Sequence, residues 1–439
     1  MDPNKHKERN VKKRFIAPTA IALAVAAGVG GGAVPGIASA ASASGGTLTV
    51  WLMTGDTDPA VYNTVNAAFV KEYPGWTVNV EIQQWSGISA KIITSLATSS
   101  PPDIMELGNT DVAEFAASGG LDNLATDESQ FQNSSTWLSG LEGPAEYKGG
   151  LYAVPELAGD RVVVYNKAMF KKAGITKTPA DLNDLLADGA ALKNAYSKVK
   201  NFSALYLPGE EWYAAMPIVW AEGGQIAVEK GGTWYGDLTS TKSLAGLKEF
   251  QVIQNFMSTS ASRDVNEANP SDSAIFASGK AAMYIDGTWT LGTDITDNKA
   301  LTGDIGTFIL PGVNPGSEAP VFLGGSDLGI AKNSPNQAEA LAWVKLYAGS
   351  ANQLLQASNE GFIPNASNLV GQVSVSSNIK TYFKAAAVSQ FTPPVPGWAT
   401  VEADNVMQDL LAQVAEGKQN VAQIAKTYDQ KLDTLLNAQ

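Results

Sequence analysis

Apolar and polar residues alternate in a way that changes period along the chain. Leu48, Val50 and Leu52 alternate with polar or exposed positions, the pattern of a short strand. Asp58-Pro59 then reads as a helix start, with Asp58 as N-cap and Pro59 in the first helical position. Val61, Val65, Ala68 and Phe69 keep helical spacing until Pro74-Gly75 stops the run. Val78, Val80 and Ile82 predict a second strand. Ile88, Ile92, Ile93 and Leu96 predict a helix, and Ile104, Met105 and Leu107 a third strand. Strands and helices alternating at this interval predict a mainly parallel sheet with right-handed crossovers. Ligands of such sheets sit beyond the carboxyl ends of the strands. Here those ends are the loops 53–58, 83–87 and 108–111, rich in Thr, Asp, Asn, Gln and Trp. That set suits a polar, uncharged ligand.

The texture repeats from Tyr152. Val162, Val163, Val164 and Tyr165 predict a strand buried on both faces. Helices are expected over 181–195, 241–256 and 337–347, and strands over 281–285 and 328–331. Two helical runs, 402–416 and 421–436, close the chain. In the second, Val421, Ile424, Tyr428, Leu432 and Leu435 form one stripe. The whole reads as two α/β lobes of similar size.

Composition changes the picture at the N-terminus. Residues 5–14 carry six basic side chains, an Ala-rich apolar run follows over 15–34, and Ala38-Ser39-Ala40 follows that. This is the order of a secretory signal peptide, expected over 1–40. The alternative, a retained membrane anchor, is opposed by Gly28, Gly30, Gly31, Gly32 and Pro35, which interrupt the run. The 439-residue chain has a net charge of −13, and losing that leader would make it more negative. Such a chain repels phosphate backbones, so nucleic acid is not an expected partner.

Cysteine is absent and the only histidine is His6, inside the leader. Thiol and imidazole catalysis and Cys- or His-ligated metals are therefore excluded from the mature chain. Carboxylate-pair glycosidases survive this filter, for instance through Glu211 with Asp286 or Glu402. Asp56-x-Asp58 starts no calcium-loop series, and neither metal nor cofactor is expected. With no imidazole to titrate, ligand binding should change little between about pH 6 and 8.

Several phrases then resemble the sugar-type extracellular solute-binding proteins of ABC importers. Pro102-Asp103-Ile104 leading to Gly119-Gly120-Leu121 is similar to the family's "PD" strand and following helix. Tyr165-Asn166-Lys167 with Phe170 and Ala173-Gly174-Ile175 resembles its crossing segment, and Trp220 with Gly223-Gly224 its "W-x-x-GG". Residues 276–289 (FASGKAAMYIDGTW) carry the most specific likeness. Gly324-Gly325-Ser326 with Gly329-Ile330-Ala331-Lys332, then Gly361-Phe362-Ile363-Pro364 and the Pro-rich 393–398 stretch, complete it. The resemblance implies a two-lobe periplasmic-binding-protein-like fold (type II), each lobe a mixed, mostly parallel sheet flanked by helices. It implies an N-terminal lobe of 45–157 plus 320–358 and a C-terminal lobe of 158–319 plus 359–439. Crossings are expected near 156–162, 310–320 and 359–364. It implies, further, a monomeric receptor, secreted or periplasmic, that captures a mono- to oligosaccharide between the lobes and delivers it to membrane permease subunits. Members of Gram-positive origin usually carry a lipid-modified Cys after the leader, and this chain has none. The rival outside enzymes is a receptor for a non-sugar solute.

A saccharide needs flat apolar plates and planar hydrogen-bond partners. Trp289, in a Gly-Thr-Trp-Thr turn, is where the resembling family stacks a sugar ring. Trp212, Trp398 and Trp85 are further candidate plates, each with core packing as its alternative, and Trp51 stands between the two readings. Asn109, Thr110, Gly325, Ser326, Arg161, Glu211 and Glu360 are the candidate polar ligands. For Arg161 the alternative is an ion pair between lobes, for Asn109 and Thr110 a turn or cap.

Overall fold

The computed structural model of the protein describes residues 45–266 and 268–438; the expected leader lies outside them. The chain begins with β1 (Thr47–Met53), α1 (Pro59–Glu72), β2 (Thr77–Gln83), α2 (Ile88–Leu96), β3 (Ile104–Gly108) and α3 (Val112–Ala117). Asp58 caps α1, its carboxylate accepting from the Ala60 N–H, and Pro59 occupies the first turn where no N–H partner is needed. β4 (Val154–Gly159) ends in the short link to β5 (Val162–Asn166). β6 (Ser203–Leu205), α4 (Trp212–Ala221), β7 (Ala281–Asp286), α5 (Trp289–Asp297) and β8 (Ile305–Phe308) follow. β9 (Gly324–Ile330), α6 (Gln337–Tyr347), α7 (Ser350–Glu360), β10 (Ile363–Pro364) and α8 (Gly397–Ala403) lead to the two C-terminal helices, Val406–Glu416 and Val421–Leu435.

Two sheets organise these strands. The first has the order β10-β4-β9-β3-β1-β2 and the second β8-β5-β7-β6. Both are mixed: β1–β2, β1–β3 and β6–β7 run parallel, while the pairs made by β9, β10, β5 and β8 are antiparallel. Each sheet carries its own apolar cluster. Val50, Leu52, Ile104, Ile330 and Trp343 belong to the first, and Val163, Met283, Leu410 and Tyr428 to the second. A third cluster, including Ala158, Val162, Ile309, Leu323 and Tyr382, packs where the chain passes between the sheets.

Those passages fall at 159–162 and between β8 and β9. The third lies later than expected. Ile363–Pro364 still pairs with β4 of the first sheet, so the chain leaves only after it. Two other expectations change. The run expected over 402–416 is two helices, broken at Asn405, whose φ of 51° is left-handed; Asn tolerates that conformation better than most residues. The strand expected at 328–331 begins earlier, at Gly324, with a register irregularity between Ser326 and Asp327.

Candidate ligand-binding cleft

Beyond the strand ends lies a cavity of about 810 Å³, lined by residues held by both sheets. All three loops expected from the alternation contribute: Gly55 and Asp56 after β1, Trp85 after β2, and Gly108 to Asp111 after β3. The link after β4 adds Arg161, β9 adds Gly324, Gly325 and Ser326, and α4, α5 and α8 add Tyr213, Trp289 and Glu402.

Trp289 is 46% exposed and Trp85 39%, so both present an indole face. The Trp289 ring lies against backbone that only glycine leaves clear. A Cβ on Gly287 would come within 2.1 Å of the ring, and one on Gly159 within 3.1 Å. The Arg161 guanidinium sits 4.6 Å from the Tyr213 ring centroid and 5.3 Å from that of Trp289. Its Nε is 3.3 Å from Glu211 and 3.6 Å from Asp286. Asp286 ends a strand of the second sheet and Glu211 precedes α4, while Arg161 lies in the link between the two sheets, so the ion pairs fasten that link to the second-sheet side. Neither Glu211 nor Asp286 lines the cavity. Asp160 turns inward, and burial pushes its carboxyl well up despite Arg161.

Thr110 makes a hydrogen bond across the cleft, its Oγ1 donating to Glu402 at 3.0 Å. Trp398 Nε1 donates to the other oxygen of Glu402 at 2.9 Å. Burial first, then Asp111, pushes the Glu402 carboxyl up to about 7, and the two hydrogen bonds only partly oppose this. Ser89 donates to Asp111 at 2.6 Å, and Ser326 lies 3.5 Å from Asp56. Asn109 is buried and spends its amide group on the carbonyls of Gly140 and Leu323, so it fixes the loop and lines the cavity at once. Gly325 has φ 151°, and a Cβ there would meet the Leu157 carbonyl at 2.1 Å; only glycine fits.

Four of the expected residues stand elsewhere. Trp212 is 2% exposed and Trp398 0%, so neither offers a plate. Their rings pack 5.8 Å apart in the core of the second sheet. The reason is local: both sit at the start of helices whose first turn faces inward, and the next residue after Trp212, Tyr213, turns to the cavity instead. Glu211 is buried behind that wall and lines a smaller pocket of about 360 Å³ with Tyr213. Glu360 ends α7 and accepts a hydrogen bond from the Asp58 N–H, propping the 53–58 loop from behind. Burial raises it to about 7.

Asp56, Asp111, Tyr213, Phe322, Phe362 and Glu402 line the cavity without having been singled out as ligands. Asp56 and Asp111 lie on the very loops the alternation identified. Tyr213 and Glu402 could be found only by knowing which side of a helix faces the cleft. Below Asp56 lie Glu106 and Glu156, fully buried and pushed well up, mainly by burial and then by neighbouring carboxylates. Glu106 accepts from the Met53 N–H at 2.6 Å. This buried layer holds the 53–58 loop. No described helix is long and apolar enough to cross a membrane.

The sequence matches the family model described as bacterial extracellular solute-binding protein over residues 54–354, and the chain belongs to that family. It is 33% identical to the diacetylchitobiose binding protein DasA of Streptomyces coelicolor, covering 85% of this chain and 86% of that one. Its fold is that of the sugar-binding protein MalE from Xanthomonas citri (TM-score 0.78, 21% identity, 89% of this chain and 97% of that). It also matches the GacH receptor of Streptomyces glaucescens, solved unliganded and with acarbose (TM-score 0.73, 22% identity, 90% of this chain and 99% of that). These are binding proteins, and the two-lobe periplasmic-binding-protein fold of type II is the fold of this chain.

Proposed function

We propose that this solute-binding protein is a secreted or periplasmic receptor that takes a mono- to oligosaccharide between its two halves and passes it to the permease of an ABC importer. The observation that carries this reading is the pair of exposed indole faces, Trp85 and Trp289, in a cavity that also presents hydrogen-bonding groups such as Asp56, Thr110, Asp111 and Glu402. A pyranose has an apolar C–H face and a rim of hydroxyls, and such a cavity offers a partner for each. The relation to DasA and the fold shared with the MalE and GacH structures support a saccharide over other solutes.

Trp85, Trp289 and Tyr213 supply the plates in this reading. Asp56, Asn109, Thr110, Asp111, Arg161, Gly325, Ser326 and Glu402 supply the polar ring. The lobes are the segments 45–157 with 320–358 and 158–319 with the C-terminal remainder, β10 staying with the first. A ligand touching both walls favours the closed arrangement because only there are all its contacts made. The receptor acts as a monomer. Titration calorimetry against a panel of oligosaccharides tests this: one or more should bind without being shortened, and failure of every saccharide to bind would remove the reading.

A further inference from the structure

A sugar hydroxyl both donates and accepts, so a wall built for plain sugars needs partners of both kinds. This wall is one-sided. Three carboxylates, Asp56, Asp111 and Glu402, line the cavity against the single cation Arg161. Arg161 is already shared between Glu211 and Asp286. The hydroxyl donors on the wall serve the carboxylates themselves: Ser89 donates to Asp111, Thr110 to Glu402, and Ser326 faces Asp56. Both hydrogen bonds of the Asn109 amide group run to backbone carbonyls. What the wall has left to offer is mostly lone pairs: an ionised carboxylate can accept about four hydrogen bonds and donates none, and Glu402, raised to about 7 in the empty cleft, is drawn into that form by a bound cation.

Such a wall favours a ligand rich in donors, and a positive one above all. Desolvated carboxylates close to one another are costly unless a cation joins them. An ammonium group brings three donors, no acceptor and a full charge. The indole faces add to its attraction through their negative ring surfaces. An anionic sugar meets the opposite field. We propose that the cleft selects a saccharide carrying a free, protonated amine over the same saccharide with that nitrogen acylated or replaced by hydroxyl. This rests on the saccharide reading above and specifies its ligand.

The test is calorimetry on the full chain at about pH 6.5 with three β-1,4-linked disaccharides of one backbone. They differ only at C2: free amine, N-acetyl or hydroxyl. The free amine should bind at least about ten-fold tighter than either neutral form, a difference of roughly 1.4 kcal/mol. Asp111→Asn and Glu402→Gln should each shrink that ratio toward one, with circular dichroism checking that each variant is folded. If Glu402→Gln does not fold, Asp111→Asn alone carries the comparison. Equal or tighter binding of a neutral disaccharide overturns the preference and leaves the receptor reading standing. So does a ratio that neither substitution moves. Absence of binding by these three and by every other saccharide overturns the receptor reading, and the preference with it.

Discussion

The two walls of the cleft are built from opposite materials. On the side of the first sheet, short loops end in Gly55, Asp56, Gly108 and Asp111, with Trp85 as the one plate. Beneath them lie the buried carboxyls of Glu106 and Glu156. On the side of the second sheet, Tyr213 and Trp289 face the cavity, backed by Trp212 and Trp398 in the core. One wall offers acceptors that discriminate by hydrogen bonding and charge. The other offers mainly area, which contributes affinity with little discrimination, with Arg161 and Glu402 as its polar groups. A ligand that needs both kinds of contact is held only when the halves meet.

The largest effect separates the buried indoles from the exposed one. Trp398→Ala should lower the unfolding free energy by about 3–5 kcal/mol, the cost of a cavity under a fully buried indole. Trp289→Ala should leave unfolding nearly unchanged, because its ring is half in solvent. Chemical denaturation of the two variants makes that comparison. Ligand affinity should invert the order. Trp289→Ala costs about 2 kcal/mol, or about 30-fold, by calorimetry. Trp85→Ala on the polar wall should cost less. Gly287→Ala, whose new Cβ would run into the Trp289 ring, should weaken binding several-fold without removing any ligand-contacting group.

The smallest effect concerns pH. Binding insensitive to pH was expected because no imidazole remains in the mature chain. The structure supplies carboxyls that titrate in the same window, Glu402 and Glu360, both raised to about 7. A carboxyl raised in the folded state favours its protonated form there. That contribution is fully present below the unfolded value near 4.5 and is lost as pH rises through about 7. The thermal midpoint should therefore fall between pH 5 and pH 8, with the buried Glu402 contributing more than the partly exposed Glu360. Glu402→Gln should flatten part of that slope in thermal-shift measurements. A slope that Glu402→Gln leaves unchanged would mean Glu402 is ionised throughout.

Much of the frame was legible because local rules determine it. The Asp58-Pro59 helix start, the stop at Pro74-Gly75 and the strand at Val162 to Tyr165 each follow from capping, breaking or burial within a few residues. The antiparallel pairings of β9 and β10 were not legible, because they join segments distant in the chain and leave no periodic trace. The break at Asn405 depends on a single left-handed residue inside an apolar pattern. The site divides in the same way. Loops at strand ends pointed to Trp85, Asn109 and Thr110, and glycine geometry around Gly325 and Trp289 agreed with its sequence setting. Trp212 and Trp398 misled because a tryptophan beside a helix start has the same neighbours in sequence whether it turns inward or outward. Tyr213, next to Trp212, and Glu402, one turn after Trp398, became visible only with the packing.

The most direct test is a crystal structure of the protein with a bound amino disaccharide. A sugar ring lying flat on Trp289, with its nitrogen within hydrogen-bond distance of Asp111, Asp56 or Glu402, is the result expected from two walls of opposite character. A ligand seated away from both walls, or touching the aromatic side alone with no carboxylate engaged, would contradict it.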